Sequence, residues 1–504
     1  MKMNPGLKYQ ILRRELLVSL VFTLAALAFF LAYPFFYDDA FISMRISRNI
    51  AEGLGPFHNL EERVQTNTSL LYPFLVAPFQ GFGRELAIRL NVVFDFFLAF
   101  LILHQIWVAV RRHLAFSTLS LSDRTAFAIC LNLAFFGNRI LVPGMETQLY
   151  MLALLCTWNA LSQSKEYGLS LGFACSFIRP EGALLGVIHW ITGSWPARVR
   201  IWSLAAGLFM GLGYFLVQWY LFGSLVPHTI AVKAQIQPEV ADSLWHFLFQ
   251  VLFPYRYPVQ LLVHLVGIFY LFQLRKDKSM QILSLFLGIY GLTFCVLVGG
   301  NAFFGWYQSP VKVFLLLASA WQCLEWGPVW FPKKGIIAAV FTILVLPVLS
   351  EQIRFRQDGI FKAAQDLNAL TQGKSRTLTC EPLGILSYYN PHIQFRDYPG
   401  LASARSLEIL KTYGPIRRSN YFDNAAFRQI ILQSKADFVL LSPPEAKSFQ
   451  ELMKANRFLF LGKIGVEKKS EHNSAFYVWL NKDQILEADQ MELLHRSREK
   501  GYLP

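Results

Sequence analysis

"KEYGLSLGFACSFIRPEGALLGVIHWITGSWPARVR" runs from Lys165 to Arg200, and its reading decides the fold. The stretch is apolar apart from its two ends and its middle. Lys165 stands at one end, Arg198 and Arg200 at the other. Lys and Arg in short loops mark the cytoplasmic side of a membrane, so both ends face the same way. One straight helix cannot start and finish on one side. Two short helices meeting at Arg179-Pro180-Glu181-Gly182 can, and proline suits the first turn of the second. Arg179 and Glu181 then sit at the opposite rim, and an ionisable pair embedded there marks function.

The rest of the chain agrees. Its 504 residues are 54% hydrophobic and 16% charged, with a mean hydropathy of +0.36. Soluble domains carry about a quarter charged residues. Several uncharged runs approach the roughly 18–20 residues that cross a bilayer. The net charge of +14 lies largely in short loops, where it sets topology, and no nucleic-acid motif accompanies it. Of the six cysteines, only Cys380 lies in a polar region, so neither a disulfide framework nor a cysteine metal site is expected.

Lys2, Lys8, Arg13 and Arg14 place the N-terminus in the cytoplasm, and Leu16 to Tyr33 reads as an uncleaved signal anchor. Further spans follow at about Leu90–Val110, Thr125–Phe136, Leu149–Leu161, Ile201–Leu221, Val259–Leu274, Ile282–Val298, Val313–Leu324 and Ile336–Leu349. With the two short helices the count reaches about eleven. From residue 351 onward charges become frequent. Ala436–Pro444 and Ser474–Asn481 read as strands, and Ser406–Gly414 and the chain end as helices. The expected organisation is therefore a polytopic α-helical membrane domain over residues 1–350. A soluble α/β domain follows over 351–504 on the extracytoplasmic side, with acceptor binding as its expected role. The predicted location is the bacterial cytoplasmic membrane.

Polar residues gather in the outward loops. In "YPFFYDDAFISMRISRNIAEGLG", Tyr33 to Gly55, Asp38 and Asp39 open a helix predicted from Ala40 to about Glu52. One aspartate alone would be a helix N-cap. A pair, with Arg45 two turns along the same face, fits a carboxylate base beside a cation. Glu146 and Thr147 lie in "PGMETQLY", where Glu146 also suits a helix dipole. Arg179 reads either as a snorkelling anchor or as a phosphate clamp. His228 and Lys233 follow in "YLFGSLVPHTIAVK", where a lone histidine is more often structural. Asp95 lies within the second span and either pairs with a neighbouring helix or lines a cavity. A substrate with a lipid tail and an anionic phosphate suits such a face. No Gly-rich phosphate loop for a soluble nucleotide is present.

In series, "DDAFISMRISRNIAEGLG", "ERVQTNTSLLYP", "PGMETQLY", "RPEGALL" and "YLFGSLVPHTIAVKA" resemble the GT-C membrane glycosyltransferases. The likeness is to the branch holding the terminal β-(1→2)-arabinofuranosyltransferase of mycobacterial cell-wall arabinan. "WYQSP" and Leu383–Ser403 resemble it more loosely. The resemblance implies a polyprenyl-phosphate sugar donor, an extracytoplasmic cell-envelope glycan acceptor, surrounding membrane lipids and inversion at the anomeric carbon. It implies that Asp38 or Asp39 is the general base. Donor phosphate and sugar binding would draw on Arg45, Glu146, Thr147, Arg179, Glu181, His228 and Lys233. No cofactor is assigned, and a divalent metal is compatible with the resemblance. The family's second motif, E-G-x-T-x-P-L-W, is here Gln65 to Tyr72. His228 stands where asparagine is usual, and Asn301 where an acid often follows the glycine pair. Arabinose is therefore not part of the expectation. The alternatives are a transporter or flippase of lipid-linked sugars, for which no internal repeat is found, and a catalytically silent glycan-binding relative.

Overall fold

The computed structural model describes residues 5–138, 140–235, 247–252, 254, 258–273, 278–293, 305–326, 358–413, 425–465 and 475–503. These residues belong to two compact units that do not follow chain order. One comprises Met1–Pro34, Arg89–Tyr214 and Val240–Ile353; the other comprises Phe35–Ile88, Phe215–Glu239 and Arg354–Pro504. The boundary expected at residue 350 follows the change in charge. The second unit also draws in the first loop and a segment near residue 230.

The first unit is helical because its sequence is. Leu-, Ala- and Phe-rich runs favour helix, and in lipid only a helix satisfies its own backbone groups. Among the described residues, three helices are long and apolar enough to cross a membrane: Arg14–Ala32, Arg84–Val110 and Ala197–Phe222. The last bares Trp202, Leu208, Phe209 and Leu212. Such an apolar face is costly in water and suited to acyl chains. Helices Leu121–Gly137, Thr147–Leu161, Pro258–Gln273, Lys278–Thr293 and Gly305–Glu325 coincide with other expected spans. The one at Ile336–Leu349 lies outside the described residues, as does the end of Ile282–Val298.

The break at Arg179 is present as two short helices, Tyr167–Ala174 and Leu184–Thr192, joined through 3₁₀ turns at Cys175–Phe177 and Pro180–Ala183. Arg179 is extended (φ −148°, ψ 135°), the conformation a following proline favours. The two helices touch backbone to backbone. A Cβ on Gly172 would lie 2.7 Å from the Cα of Gly186, and one on Gly182 would lie 2.5 Å from the Cys175 carbonyl oxygen. Gly172→Val is therefore expected to lower the melting temperature of the detergent-solubilised protein by several degrees. Gly211→Ala, with open space at its Cβ, is the matched control and should leave it unchanged.

The second unit contains a five-stranded sheet in the order β2-β1-β3-β5-β4. Its strands are β1 (Arg376–Cys380), β2 (Ile393–Asp397), β3 (Phe438–Leu441), β4 (Phe458–Gly465) and β5 (Ala475–Asn481). β1 pairs in parallel with β2 and β3, whereas β5 pairs antiparallel with β3 and β4. Central β3 reads Phe-Val-Leu-Leu with every residue buried, as a strand covered on both faces should. Val439, Leu441, Ile430, Phe427, Phe449 and Trp479 belong to its core. Both strands expected from the sequence are present, and so is the helix at Ala404–Tyr413. Pro443 and Pro444 begin a further helix, fixed by a Ser442–Glu445 capping box.

The first loop is part of this unit. β2 is an edge strand, and an edge leaves backbone groups unpaired. Asn59 meets them with its side chain. Its Nδ2 donates to the Phe395 carbonyl at 2.6 Å, and its Oδ1 accepts the Phe395 amide at 3.0 Å. Glu62 accepts the Ala404 amide at 2.7 Å, at the start of helix Ala404–Tyr413.

Candidate functional site

In the second unit, helix Asp38–Ala51 starts after Tyr37, so Asp38 and Asp39 occupy its first turn and neither is the N-cap. Carboxylates there are stabilised by the helix dipole. The two aspartates are not equivalent. Asp38 accepts the Gly384 amide on Oδ2 at 2.7 Å and the Ile385 amide on Oδ1 at 2.8 Å. Those amides open helix Gly384–Tyr389, so Asp38 acts as a cap supplied from a distant part of the chain. Burial raises its carboxyl above the usual range, and the two amides pull the other way. A Cβ at residue 384 would overlap the Asp38 carbonyl oxygen. Only glycine fits there. Asp39 is half-buried.

Arg45 corrects an expectation. It is 3% exposed and directs its guanidinium at backbone carbonyls. Nε donates to His58 at 2.9 Å, Nη1 to Ser387 at 2.7 Å and Asn390 at 3.4 Å, and Nη2 to Ile393 at 2.8 Å and Pro391 at 3.4 Å. Five donors meeting five carbonyls exhaust what a guanidinium offers. Arg45 clamps the fold and has no N–H left for a phosphate.

His58 sits beside this clamp, its Nε2 2.9 Å from the Ser387 hydroxyl. Burial, and then the Arg45 charge, push its imidazole well below the ordinary value. The unfolded chain therefore binds a proton that the folded chain refuses. Stability rises with pH wherever the unfolded state holds more protons, so this contribution is full above about pH 6.5 and is lost as the pH falls below it. Melting scans of the purified protein from pH 7.5 to 5 should show a falling midpoint. His58→Gln should flatten that dependence.

His228 begins the short helix His228–Lys233 and lies 2.7 Å through Nε2 from the Gly400 carbonyl. As the donor in that contact it anchors a turn in which Gly400 has φ +83°, and burial lowers its imidazole below the ordinary value. Lys233 closes the same helix, half-buried.

In the first unit, four of the expected residues come together. Arg179, 1% exposed, donates through Nε to Glu181 at 2.6 Å and through Nη1 to Glu146 at 3.1 Å. Its guanidinium stacks over Tyr307 at 4.5 Å and Tyr150 at 5.6 Å, an additional attraction for a buried cation. Thr147 is fully buried at the start of helix Thr147–Leu161. Glu146 holds the N-cap position but makes no side-chain cap there, because its carboxylate goes to Arg179. Arg179 Nη2, Thr147 Oγ1 and Tyr150 Oη are buried without a hydrogen-bond partner among the described residues. Asp95 pairs with a neighbouring turn, accepting the Gly144 amide at 2.5 Å. Asn301 lies outside the described residues.

The structure thus gathers Glu146, Thr147, Arg179 and Glu181 in one unit, and Asp38, Asp39, Arg45, His228 and Lys233 in the other. Tyr307 and Tyr150 lie in the quoted WYQSP and PGMETQLY stretches, whereas His58 and Asn59 were not singled out as site residues from the sequence. Nothing local marks them, since each acts through a partner remote in the chain. Among the described residues, no group of three His, Cys, Asp or Glu is arranged to hold a metal ion.

Several apolar helices in one unit and a five-stranded α/β sheet in the other suit a multi-pass membrane protein, and solved structures supply the fold. The chain resembles the crystal structure of ArnT from Cupriavidus metallidurans bound to undecaprenyl phosphate, with a TM-score of 0.57 and 11% identity. The likeness covers 95% of this chain and 98% of that one. The apo ArnT structure gives a TM-score of 0.57 at 12% identity over 92% and 97%. No family model matches the chain, and no curated protein does. The fold is that of ArnT.

Proposed function

We propose that the protein is an inverting glycosyltransferase. It moves a sugar from a polyprenyl-phosphate donor to a cell-envelope glycan acceptor outside the cytoplasm. The observation that carries this reading is the near full-length likeness to ArnT, whose crystal structure holds undecaprenyl phosphate. The carboxylate pair at Asp38-Asp39 and the buried Arg179 cluster support it.

In the reaction proposed, a carboxylate takes the proton from an acceptor hydroxyl. The hydroxyl oxygen attacks the anomeric carbon from the face opposite the phosphate, and the bond from that carbon to the phosphate oxygen breaks. Polyprenyl phosphate leaves as an anion, and the glycosidic bond has inverted configuration. We assign the base to Asp39, since Asp38 serves as the cap of helix Gly384–Tyr389. Arg179 is the cation assigned to the leaving phosphate, through its remaining Nη2. Glu146 and Glu181 fix its orientation, and Tyr307 and Tyr150 flank it. Donor charge complemented by a fixed, water-shielded cation is the arrangement that stabilises departure.

The test uses a strain lacking the gene, complemented with the wild-type chain, and mass spectrometry of its surface glycans. A defined mass increment restored by the wild type supports transfer and identifies the sugar class. An unchanged glycan with altered movement of lipid-linked sugar across the membrane would favour the flippase reading instead. Neither change would leave the silent glycan-binding relative.

A further inference from the structure

The loop from Phe57 to Tyr72 holds more buried polar atoms than its fold uses. Both of its ends are pinned. Asn59 pairs with Phe395 on β2, Glu62 accepts the Ala404 amide, and Ser69 Oγ accepts the Tyr72 amide at 3.1 Å. Between the pins, Gln65 is 1% and Thr66 3% exposed, and Asn67 is half-buried. Gln65 Oε1 and Nε2, Thr66 Oγ1 and Asn67 Nδ2 are all shut from solvent without a partner among the described residues, as is His58 Nδ1. Native proteins pair the large majority of such atoms, with protein or with ordered water. Several consecutive exceptions on a loop fixed at both ends call for a ligand.

The chemistry of these atoms narrows its class. None carries a formal charge, whereas phosphate recognition draws on Arg and Lys. A carboxamide offers one acceptor and two donors side by side, and a hydroxyl adds one of each. That set matches neighbouring hydroxyls on a sugar ring, each of which donates and accepts.

We propose that Gln65, Thr66 and Asn67 form a subsite for the hydroxyl face of a neutral sugar and select which sugar the protein handles. The proposal rests on the glycosyltransferase reading and deepens it. The hydroxyls belong either to the glycosyl unit of the donor or to the acceptor glycan, and the experiment separates the two.

The full-length protein in lipid nanodiscs is compared with Thr66→Val, which removes one hydroxyl at nearly constant shape, and with Gln65→Leu, which removes both amide atoms. Transfer is followed with host lipid extract as donor and glycan from the gene-deleted strain as acceptor. Melting temperature and affinity for undecaprenyl phosphate, which carries no sugar, are measured alongside. Thr66→Val should lower kcat/KM about tenfold and Gln65→Leu about a hundredfold, at roughly one neutral hydrogen bond per tenfold. Undecaprenyl phosphate binding should stay within about twofold. The melting temperature should hold or rise, because an unpaired buried polar atom is removed. A raised KM for the lipid extract assigns the subsite to the donor, and a raised KM for the glycan assigns it to the acceptor.

Wild-type transfer with a raised melting temperature means water alone fills the loop, and the proposal falls. Transfer and melting temperature falling together make the residues structural, which also overturns it. Loss of undecaprenyl phosphate binding would assign the loop to phosphate or lipid instead. If the wild-type protein itself transfers no sugar, the glycosyltransferase reading fails first and the subsite with it.

Discussion

Asp39→Asn is expected to act on the chemistry, reducing sugar transfer per folded molecule by about 10²- to 10⁴-fold, the usual contribution of a positioned general base. Asp38→Asn is expected to do the reverse in kind. Asp38 gives each oxygen to an amide, Gly384 at 2.7 Å and Ile385 at 2.8 Å. An asparagine there keeps one acceptor but turns an NH₂ group against the second amide. The charge-assisted bonds weaken and a buried donor is left unpaired, at a cost of about 2–4 kcal/mol. The measurement is transfer per folded molecule, with folding followed by thermal melting. A stable but inactive Asp38→Asn beside a fully active Asp39→Asn would exchange the two roles. Full activity in both would remove the carboxylate base from the mechanism.

The pair illustrates what the sequence made legible. Two carboxylates following an apolar run marked the place, because charge beside a membrane span is costly and rarely idle. Among the described residues, hydropathy located helices where spans were expected. Loop charge required the helix break at Arg179, and the structure has it, with glycines where the two short helices touch. Strands β3 and β5 were readable from their β-branched and aromatic content. The composition of the second unit was not readable. Arg45 reaches the Ser387 carbonyl 342 positions away, and Asn59 pairs with Phe395 336 positions away. These are side-chain-to-backbone bonds, and the accepting carbonyl has no residue identity for a pattern to reveal. For the same reason Arg45, read beside two aspartates, looked like a cation awaiting a phosphate. Its partners are backbone oxygens that any sequence supplies. Arg179 was visible because its partners are themselves charged side chains in quotable motifs.

The second large effect concerns the tail. The sequence suggested that residues 351–504 bind the acceptor. The structure gives residues in this region another task as well: they hold the first loop. Gly384 and Ile385 orient Asp38, the carbonyls of Ser387 and Ile393 hold Arg45, and Phe395 holds Asn59. A chain ending at Ile353 is therefore expected to lose transfer to below about 1% of wild type, as expected for loss of a positioned base. It should also lose the slow hydrolysis of donor by water, a reaction that needs the base but no glycan. A domain that only bound acceptor would leave that hydrolysis intact, so the two roles are separable in one assay. Gly384→Ala makes the same test without removing a domain. Its Cβ would overlap the Asp38 carbonyl oxygen, so the loop that carries Asp39 must shift while the sheet residues remain unaltered. Displacing a catalytic group by about 1 Å costs about a hundredfold. Gly384→Ala should therefore lower hydrolysis and transfer together by about that factor. Transfer lost with hydrolysis retained would return the tail to acceptor binding alone.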